Sequence, residues 1–426
     1  MTYDEAMSFI HTRSHLGTRK GLMRMRELLR RLGDPQRALR FVHIAGSNGK
    51  GSTAAMTERV LREAGYRTGL FVSPFVYDFR ERMQICGTLP EKELLADTLT
   101  RIVPAIESMA KDGDPVSEFE TVTALALCLF AREKCDVVVF EVGIGGLLDS
   151  TNVIDPPLVA AICSLSLEHT ELLGTTIPEI AYQKCGIIKK GSRVAAYCDL
   201  PKEALPVLYD ACARCNITPN VADLSQLKLL SLTGAGGEFI YKGQHYRVPL
   251  AGAHQVKNAM TVIAIVEELR AAGLIIPQEA LERGIAQVRF PGRLETVREQ
   301  PLCIVDGAHN PAKIGSLCAA IDQFYSERRL ICIMGMLKKK DHAVSIPELA
   351  RRSAVFFAVR SPAVLALSAE EVAEEARPYC ADVRVIESPE EAARMALQEA
   401  GEGDLLLATG SLYLLNDAKK GFTEQN

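Results

Sequence analysis

Along most of the chain, short runs of consecutive apolar residues alternate with longer stretches in which apolar positions recur every three or four residues. The short runs suit strands buried on both faces, and the longer periodic stretches suit helices. In the first two thirds the spacing predicts strands over 41–45, 70–73, 136–141, 158–165 and 192–196, with helices such as 53–64 and 119–134 between them. The stretch 238–250 reads as an antiparallel hairpin turning at Lys242-Gly243. Pro-Gly interrupts the pattern within Phe290-Pro291-Gly292-Arg293. A second alternation follows, with strands over 302–306, 330–335, 354–359, 383–386 and 405–408. Strands alternating with helices predict an α/β fold of mostly parallel sheets. The expected units are a P-loop-type domain over 1–296 and a smaller, Rossmann-like α/β domain over 297–426.

A length of 426 residues supports two domains, and 48% hydrophobic residues can fill two cores. A net charge of −4 gives no reason to expect a nucleic-acid or membrane partner. No apolar run reaches the roughly 20 residues of a membrane span. Asp4 and Glu5 stand where a signal peptide carries its basic stretch, so a cytoplasmic protein is expected. The twelve cysteines are scattered, many in apolar runs such as Ala161-Ile162-Cys163, and read as reduced thiols used as small hydrophobes. Cys212-Ala-Arg-Cys215 has no second pair to complete a zinc site and reads as part of a helix surface.

The chemistry begins where the first strand runs into Gly46-Ser-Asn-Gly49-Lys50-Gly51-Ser52-Thr53 and then a helix. A glycine turn between a strand and a helix N-terminus presents backbone N–H groups to phosphate oxygens, and the helix dipole favours the anion. Lys50 is positioned for the terminal phosphates, and Ser52 or Thr53 for Mg²⁺. Gly51 departs from the general P-loop spacing by separating the lysine from the hydroxyl residue. Two further groups stand just past strands: Glu141, a candidate Mg²⁺ ligand, and His169. Periodicity alone leaves His169 structural and gives Glu141 a capping role as readily as a metal.

In order along the chain come Ser73-Pro74, Glu81-Arg82, Phe119-Glu120, Leu148-Asp149-Ser-Thr-Asn, His169-Thr-Glu-Leu-Leu-Gly174, Lys184-Cys-Gly-Ile-Ile-Lys189, Phe290-Pro-Gly-Arg-Leu-Glu295, Asp306-Gly-Ala-His-Asn-Pro311 and Gly410-Ser-Leu-Tyr413. With the 46–53 loop, this series resembles the folylpolyglutamate synthase/dihydrofolate synthase family, a branch of the Mur ligases, over nearly the whole length. The resemblance implies an ADP-forming ligase that activates a pteroate or folate carboxylate as an acyl phosphate and joins it to L-glutamate. It implies nucleotide contacts from Asn48, Gly49, Lys50, Gly51, Ser52, Thr53, Asn258, Arg293 and Asp306. Ser73, Glu141 and His169 would hold one Mg²⁺, and Lys184, carbamylated, a second. Lys50, His169, Lys184 and His309 would carry the catalysis, His309 beside the incoming glutamate. Ser117, Phe119, Leu148 and Asp149 would face the pterin. A monomer is expected.

Four positions depart from the family pattern: Phe75 stands for His, Leu147 for Arg, Glu168 for Asp and Gln183 for Glu. A lost guanidinium at 147 removes a fixed anion-pairing fork. Two alternatives therefore remain open at this stage, a Mur-type amide ligase acting on another acid and a nucleotide-binding homologue of weak activity. The bare residues also admit a plain surface cation at Lys184, which has no anionic sequence neighbour.

Overall fold

A computed structural model describes residues 1–16 and 21–424. The first sheet has seven strands: β1 (Phe41–Ala45), β2 (Thr68–Phe71), β3 (Met83–Ile85), β4 (Val137–Glu141), β5 (Val159–Ile162), β6 (Arg193–Ala196) and β7 (Asn220–Val221). Their order is β3-β2-β4-β1-β5-β6-β7, all parallel except the edge strand β3. β1, β4 and β5 are buried along their whole length, as unbroken apolar runs require when helices cover both faces. One face packs on the helices Lys50–Glu63 and Ala253–Ala271, the other on Lys92–Lys111 and Glu118–Arg132. The fold is thus the α/β architecture the alternation predicts.

Central placement of β4, β1 and β5 decides the site. Ile44 is in register with Glu141, and Ala45 with Ile162. The three following loops therefore leave the same carboxyl edge side by side, where open α/β sheets bind ligands.

A small antiparallel sheet, β8 (Leu227–Thr233), β9 (Gly236–Tyr241) and β10 (Gln244–Val248), lies against the helix Ala253–Ala271. The hairpin turns at Lys242 and Gly243, both at positive φ. The second large sheet contains β11 (Glu295–Arg298), β12 (Leu302–Val305), β13 (Arg329–Met334), β14 (Ser353–Ala358), β15 (Val383–Val385) and β16 (Asp404–Thr409). Its order is β11-β12-β16-β13-β14-β15, parallel except for β11, with an apolar cluster on each face. β11 carries residues on both sides of the expected boundary at 296. The short or exposed strands β3, β7, β8 and β11 are absent from the sequence expectation, because edge strands lack the continuous apolar run that marks a buried one. Cys212 is buried under its helix, which corrects the surface expected there, and all twelve thiols are free. Among the described residues no helix is long and apolar enough to cross a membrane.

Candidate active site

The helix Lys50–Glu63 starts inside the loop that follows β1. Gly49 caps it at φ +81°, a left-handed conformation that glycine adopts without steric conflict. A Cβ at Gly49 would stand 2.5 Å from Asn258 Oδ1, and one at Gly51 would stand 2.5 Å from Phe290 Cζ. The extra glycine between Lys50 and Ser52 thus makes room for the ring that precedes the second domain. The loop is pinned to the segment after β5. Ser47 N donates to Ser164 O at 2.7 Å, and the Ser47 hydroxyl donates to Ser166 O at 2.9 Å. Lys50 Nζ donates to Gly46 O at 2.9 Å. Thr53 is wholly buried, with its hydroxyl 3.5 Å from Cys163 Sγ, whereas Ser52 reaches a cavity wall. Of the two candidate hydroxyls, Ser52 is the one that can meet a ligand.

Glu141 ends β4 and accepts a hydrogen bond from Ser73 N at 3.0 Å. Burial raises its pKa, with the Lys50 charge the strongest opposing influence. His169 caps the short helix Thr170–Leu173 at φ +46°. Burial lowers its pKa against the pull of Glu168.

Lys184 is 1% exposed, which overturns the surface cation. Its ammonium donates to Glu168 Oε1 at 2.7 Å and to Gly46 O at 2.8 Å. The anionic partner that its sequence neighbours lack comes from the loop after β5. Burial brings Lys184 down to about 8 although Glu168 raises it. Burial also pushes Glu168 up, but Lys50 and Lys184 outweigh that and leave it below the usual carboxylate range.

The second domain faces this cluster. Asp306 follows β12 and accepts from Leu294 N and Ala308 N, both at 2.8 Å. Burial raises its pKa, and the neighbouring Arg293 opposes the rise. Arg293 donates to Gly292 O at 2.8 Å and lies 5.4 Å from the Phe290 ring centroid. Asn258 is buried behind the glycine loop, its amide donating to Gln255 Oε1 at 3.0 Å. His309 Nδ1 donates to Gly307 O at 2.8 Å, and burial holds the imidazole neutral.

Two cavities lie between the domains. The smaller, about 220 Å³, is bounded by Asn48, Gly49, Ser52 and Asn258 on one side and by Arg293, Asp306 and Lys313 on the other. The larger, about 450 Å³, is lined by Ser73, Ser117, Phe119, Leu148, Asp149 and His169, with His309, Lys340 and Ser411 opposite. The fold gathers the candidate residues at the two cavities or in the charge cluster at the carboxyl edge of the sheet, except Gly51, which packs on Phe290, and Thr53, which is buried.

Two polar groups of the larger cavity are committed within the protein. The Ser117 hydroxyl caps the helix Glu118–Arg132 together with Glu120. The Asp149 carboxylate accepts from Ile144 N at 2.8 Å and Thr151 N at 3.0 Å. Leu147 packs on Gly186, where a Cβ would stand 2.4 Å from its own Cβ. Phe75 meets Phe79 edge-on at 5.8 Å, and both rings carry the Arg82 guanidinium. Arg82 lines the larger cavity, and its buried Nε has no hydrogen-bond partner among the described residues. Arg82, Lys313, Lys340 and Ser411 have no role in the sequence expectation. Arg82 and Ser411 fall within segments that carry the resemblance, and Lys313 stands as a cation one turn after His309.

The donors suit a hard divalent ion. Glu141 supplies a carboxylate oxygen, and Ser73 and His169 reach the same cavity wall. Among the described residues no three His, Cys, Asp or Glu side chains gather into a self-sufficient metal site. An ion here would take most of its ligands from phosphate and water, as Mg²⁺ commonly does. Lys184 in its ammonium form offers only donors and cannot ligate a metal.

Residues 44–266 match the Mur ligase middle domain, and 292–412 match the Mur ligase glutamate ligase domain. This makes the protein a two-domain Mur-type ligase. The chain is 34% identical over 430 aligned residues to the dihydrofolate synthase/folylpolyglutamate synthase of Bacillus subtilis, covering 98% of each chain. Mycobacterium tuberculosis folylpolyglutamate synthase, solved with ADP and AMPPCP, superposes with a TM-score of 0.88 at 28% identity over 99% of both chains. Escherichia coli FolC, solved with DHPP and ADP, gives 0.83 at 26% identity over 97% of this chain and 96% of that one. The chain belongs to the folylpolyglutamate synthase/dihydrofolate synthase family of ATP-dependent ligases.

Proposed function

We propose that the protein phosphorylates the carboxylate of a pteroate or folate with ATP and joins the acyl phosphate to the amino group of L-glutamate, releasing ADP and phosphate. The observation that carries this is the convergence of the 46–53 loop, Glu141 and the Lys184–Glu168 pair with Arg293, Asp306 and His309 across the two cavities. A carboxylate acylates poorly at neutral pH, so phosphoryl activation is the chemistry such an amide bond requires.

In this reading, Asn48, Gly49, Gly51 and Ser52 frame the phosphates with Thr53 buried behind them, Asn258, Arg293 and Asp306 hold the rest of the nucleotide, and Lys50 stabilises charge on the transferring group. Ser73, Glu141 and His169 would hold Mg²⁺, whose charge polarises the phosphoryl oxygens when bound. A second ion fits only if Lys184 is carbamylated. Phe119 and Leu148 offer apolar surface to the pterin, with Ser117 and Asp149 holding the wall. His309, neutral and oriented by Gly307, can orient or accept a proton from the glutamate amine. Residues 1–296 then form the ATP-binding unit and 297–426 the glutamate-ligase unit. The site is complete within one chain, consistent with a monomer, and twelve free thiols suit a reducing cytoplasm.

The test is purified protein with ATP, Mg²⁺ and labelled glutamate, offered dihydropteroate and tetrahydrofolate separately. Label should enter a pteridine product with one ADP formed per glutamate. AMP and pyrophosphate as products, or no incorporation with either acceptor, would refute the assignment.

A further inference from the structure

His309 and Lys313 stand one turn apart at the start of the helix Pro311–Phe324, where Asn310 accepts a hydrogen bond from Lys313 N at 2.9 Å. That turn brings Lys313 Nζ to 3.4 Å from His309 Nε2. Since His309 Nδ1 donates to Gly307 O, Nε2 carries the lone pair and the lysine is the donor. Among the described residues Lys313 has no carboxylate partner. The charges acting on it include Arg293, Lys50 and Lys340, with Glu168 opposing. Glu141 and Asp306 also feel its charge, yet a buried cation that no carboxylate contacts is costly unless an anion joins it.

The pair also straddles the two cavities. Lys313 lines the smaller one with Asn48, Gly49 and Ser52, whereas His309 lines the larger one with Ser73 and His169. The pair thus stands between the cavity proposed for the nucleotide and the one proposed for the acceptor.

We propose that Lys313 is a catalytic residue supplied by the second domain, contacting the terminal phosphoryl group of the bound nucleoside triphosphate as it moves to the acceptor carboxylate. This rests on the ligase function proposed above. In that step a carboxylate oxygen forms a bond to the γ-phosphorus while the bond from that phosphorus to the β,γ-bridging oxygen breaks. The electron pair of the broken bond leaves on ADP, and no proton moves. Lys50 approaches the group from the first domain and Lys313 from the second, so the charge complement is complete only when the domains are docked. Without a phosphate beside it, burial and the Arg293 and Lys50 charges hold Lys313 down to about 7. An adjacent phosphate favours the charged form.

The test uses full-length protein with Mg²⁺ and calorimetric titration of ADP and of the non-hydrolysable triphosphate AMPPCP. Wild type should bind both. In Lys313→Met, ADP affinity should stay within about twofold, which also reports an intact fold. AMPPCP affinity should fall roughly tenfold and kcat about a hundredfold, the scale of losing one charge-stabilising group. Lys313→Arg should recover most of the AMPPCP affinity. A Met variant that keeps wild-type AMPPCP affinity, or that loses ADP and AMPPCP alike, overturns the role of Lys313 and leaves the ligase function standing. Failure of the wild type to bind either nucleotide overturns both.

Discussion

Lys184 Nζ lies 2.7 Å from Glu168 Oε1, an ion pair between a buried lysine and a half-buried carboxylate that ties the helix Ile177–Cys185 to the loop after β5. The same ammonium donates to Gly46 O, so the pair also braces the phosphate loop. Carbamylation requires the neutral amine. With Lys184 at about 8, roughly a tenth of it is neutral at pH 7, against fewer than about one in a thousand for an ordinary lysine.

This fixes the direction of a first prediction. Glu168 raises the pKa of Lys184, so Glu168→Gln should lower it further and increase the amine fraction. With ¹³C-bicarbonate, the carbamate resonance should grow from pH 7 to pH 8.5 in wild type and be larger at pH 7 in Glu168→Gln. Absence of the resonance in both proteins, with Mg²⁺ and nucleotide present, would leave Lys184 as an ammonium that braces the loop.

If Lys50 acts as proposed on the transferring phosphoryl group, Lys50→Ala should reduce kcat by about a hundredfold or more. The side chain bonds only loop carbonyls, so the melting temperature should move little. Near wild-type turnover in a folded Lys50→Ala protein would remove the loop from the chemistry.

The sequence foretells the elements with two-sided burial. β1, β4 and β5 are unbroken apolar runs, and the glycine loop after β1 announces its own chemistry. Two things escape it, one set by strand order and the other by local hydrogen bonding. Glu168 is 16 residues from Lys184, and only the packing of the helix Ile177–Cys185 beneath the β5 loop makes them partners. Likewise, Ser117 and Asp149 look like free polar groups in a string of letters. Capping and turn hydrogen bonds, invisible to periodicity, already occupy them. The short edge strands β3, β7 and β11 leave no apolar run to detect.

Asp149 anchors a chain of contacts that reaches the centre of the sheet. Its carboxylate accepts from Ile144 N, Thr151 N and the Thr151 hydroxyl, and the Thr151 hydroxyl accepts from His43 Nε2 at 2.9 Å. Asp149→Ala should therefore slacken the 143–151 wall of the larger cavity without touching the smaller one. The KM for the pteridine acceptor should rise about tenfold while that for ATP stays within about twofold. Equal changes in both would mean that the loop supports the whole site and not the acceptor wall.

The last prediction concerns how the two domains are held together. Glu295 opens β11, and its Oε2 accepts from the Tyr77 hydroxyl at 2.6 Å and from Gly292 N at 2.8 Å. Its Oε1 accepts from Lys419 Nζ at 2.9 Å, and that ammonium lies 4.1 Å from the centroid of the Tyr77 ring. One carboxylate thus joins a first-domain loop, the linker beside Arg293 and the helix Leu415–Thr423 of the second domain. Tyr77→Phe keeps the ring and its contact with Lys419 but removes a hydrogen bond to a charged group, worth about 1.5–3 kcal/mol. Because Arg293 sits within this joint and Asp306 and His309 reach the site from beyond it, loosening it should disturb their positions together. Steady-state kinetics should show kcat falling about threefold to tenfold and KM rising for both ATP and glutamate, the pattern of a perturbed hinge. The residues proposed to face the pterin, Ser117, Phe119, Leu148 and Asp149, lie in the first domain, with His309, Lys340 and Ser411 of the second opposite, so pteridine binding in the absence of nucleotide should change less than the KM for ATP or glutamate. A Tyr77→Phe protein with a lower melting temperature but unaltered kcat and KM would show that the contact stabilises the fold without setting the geometry of the active site.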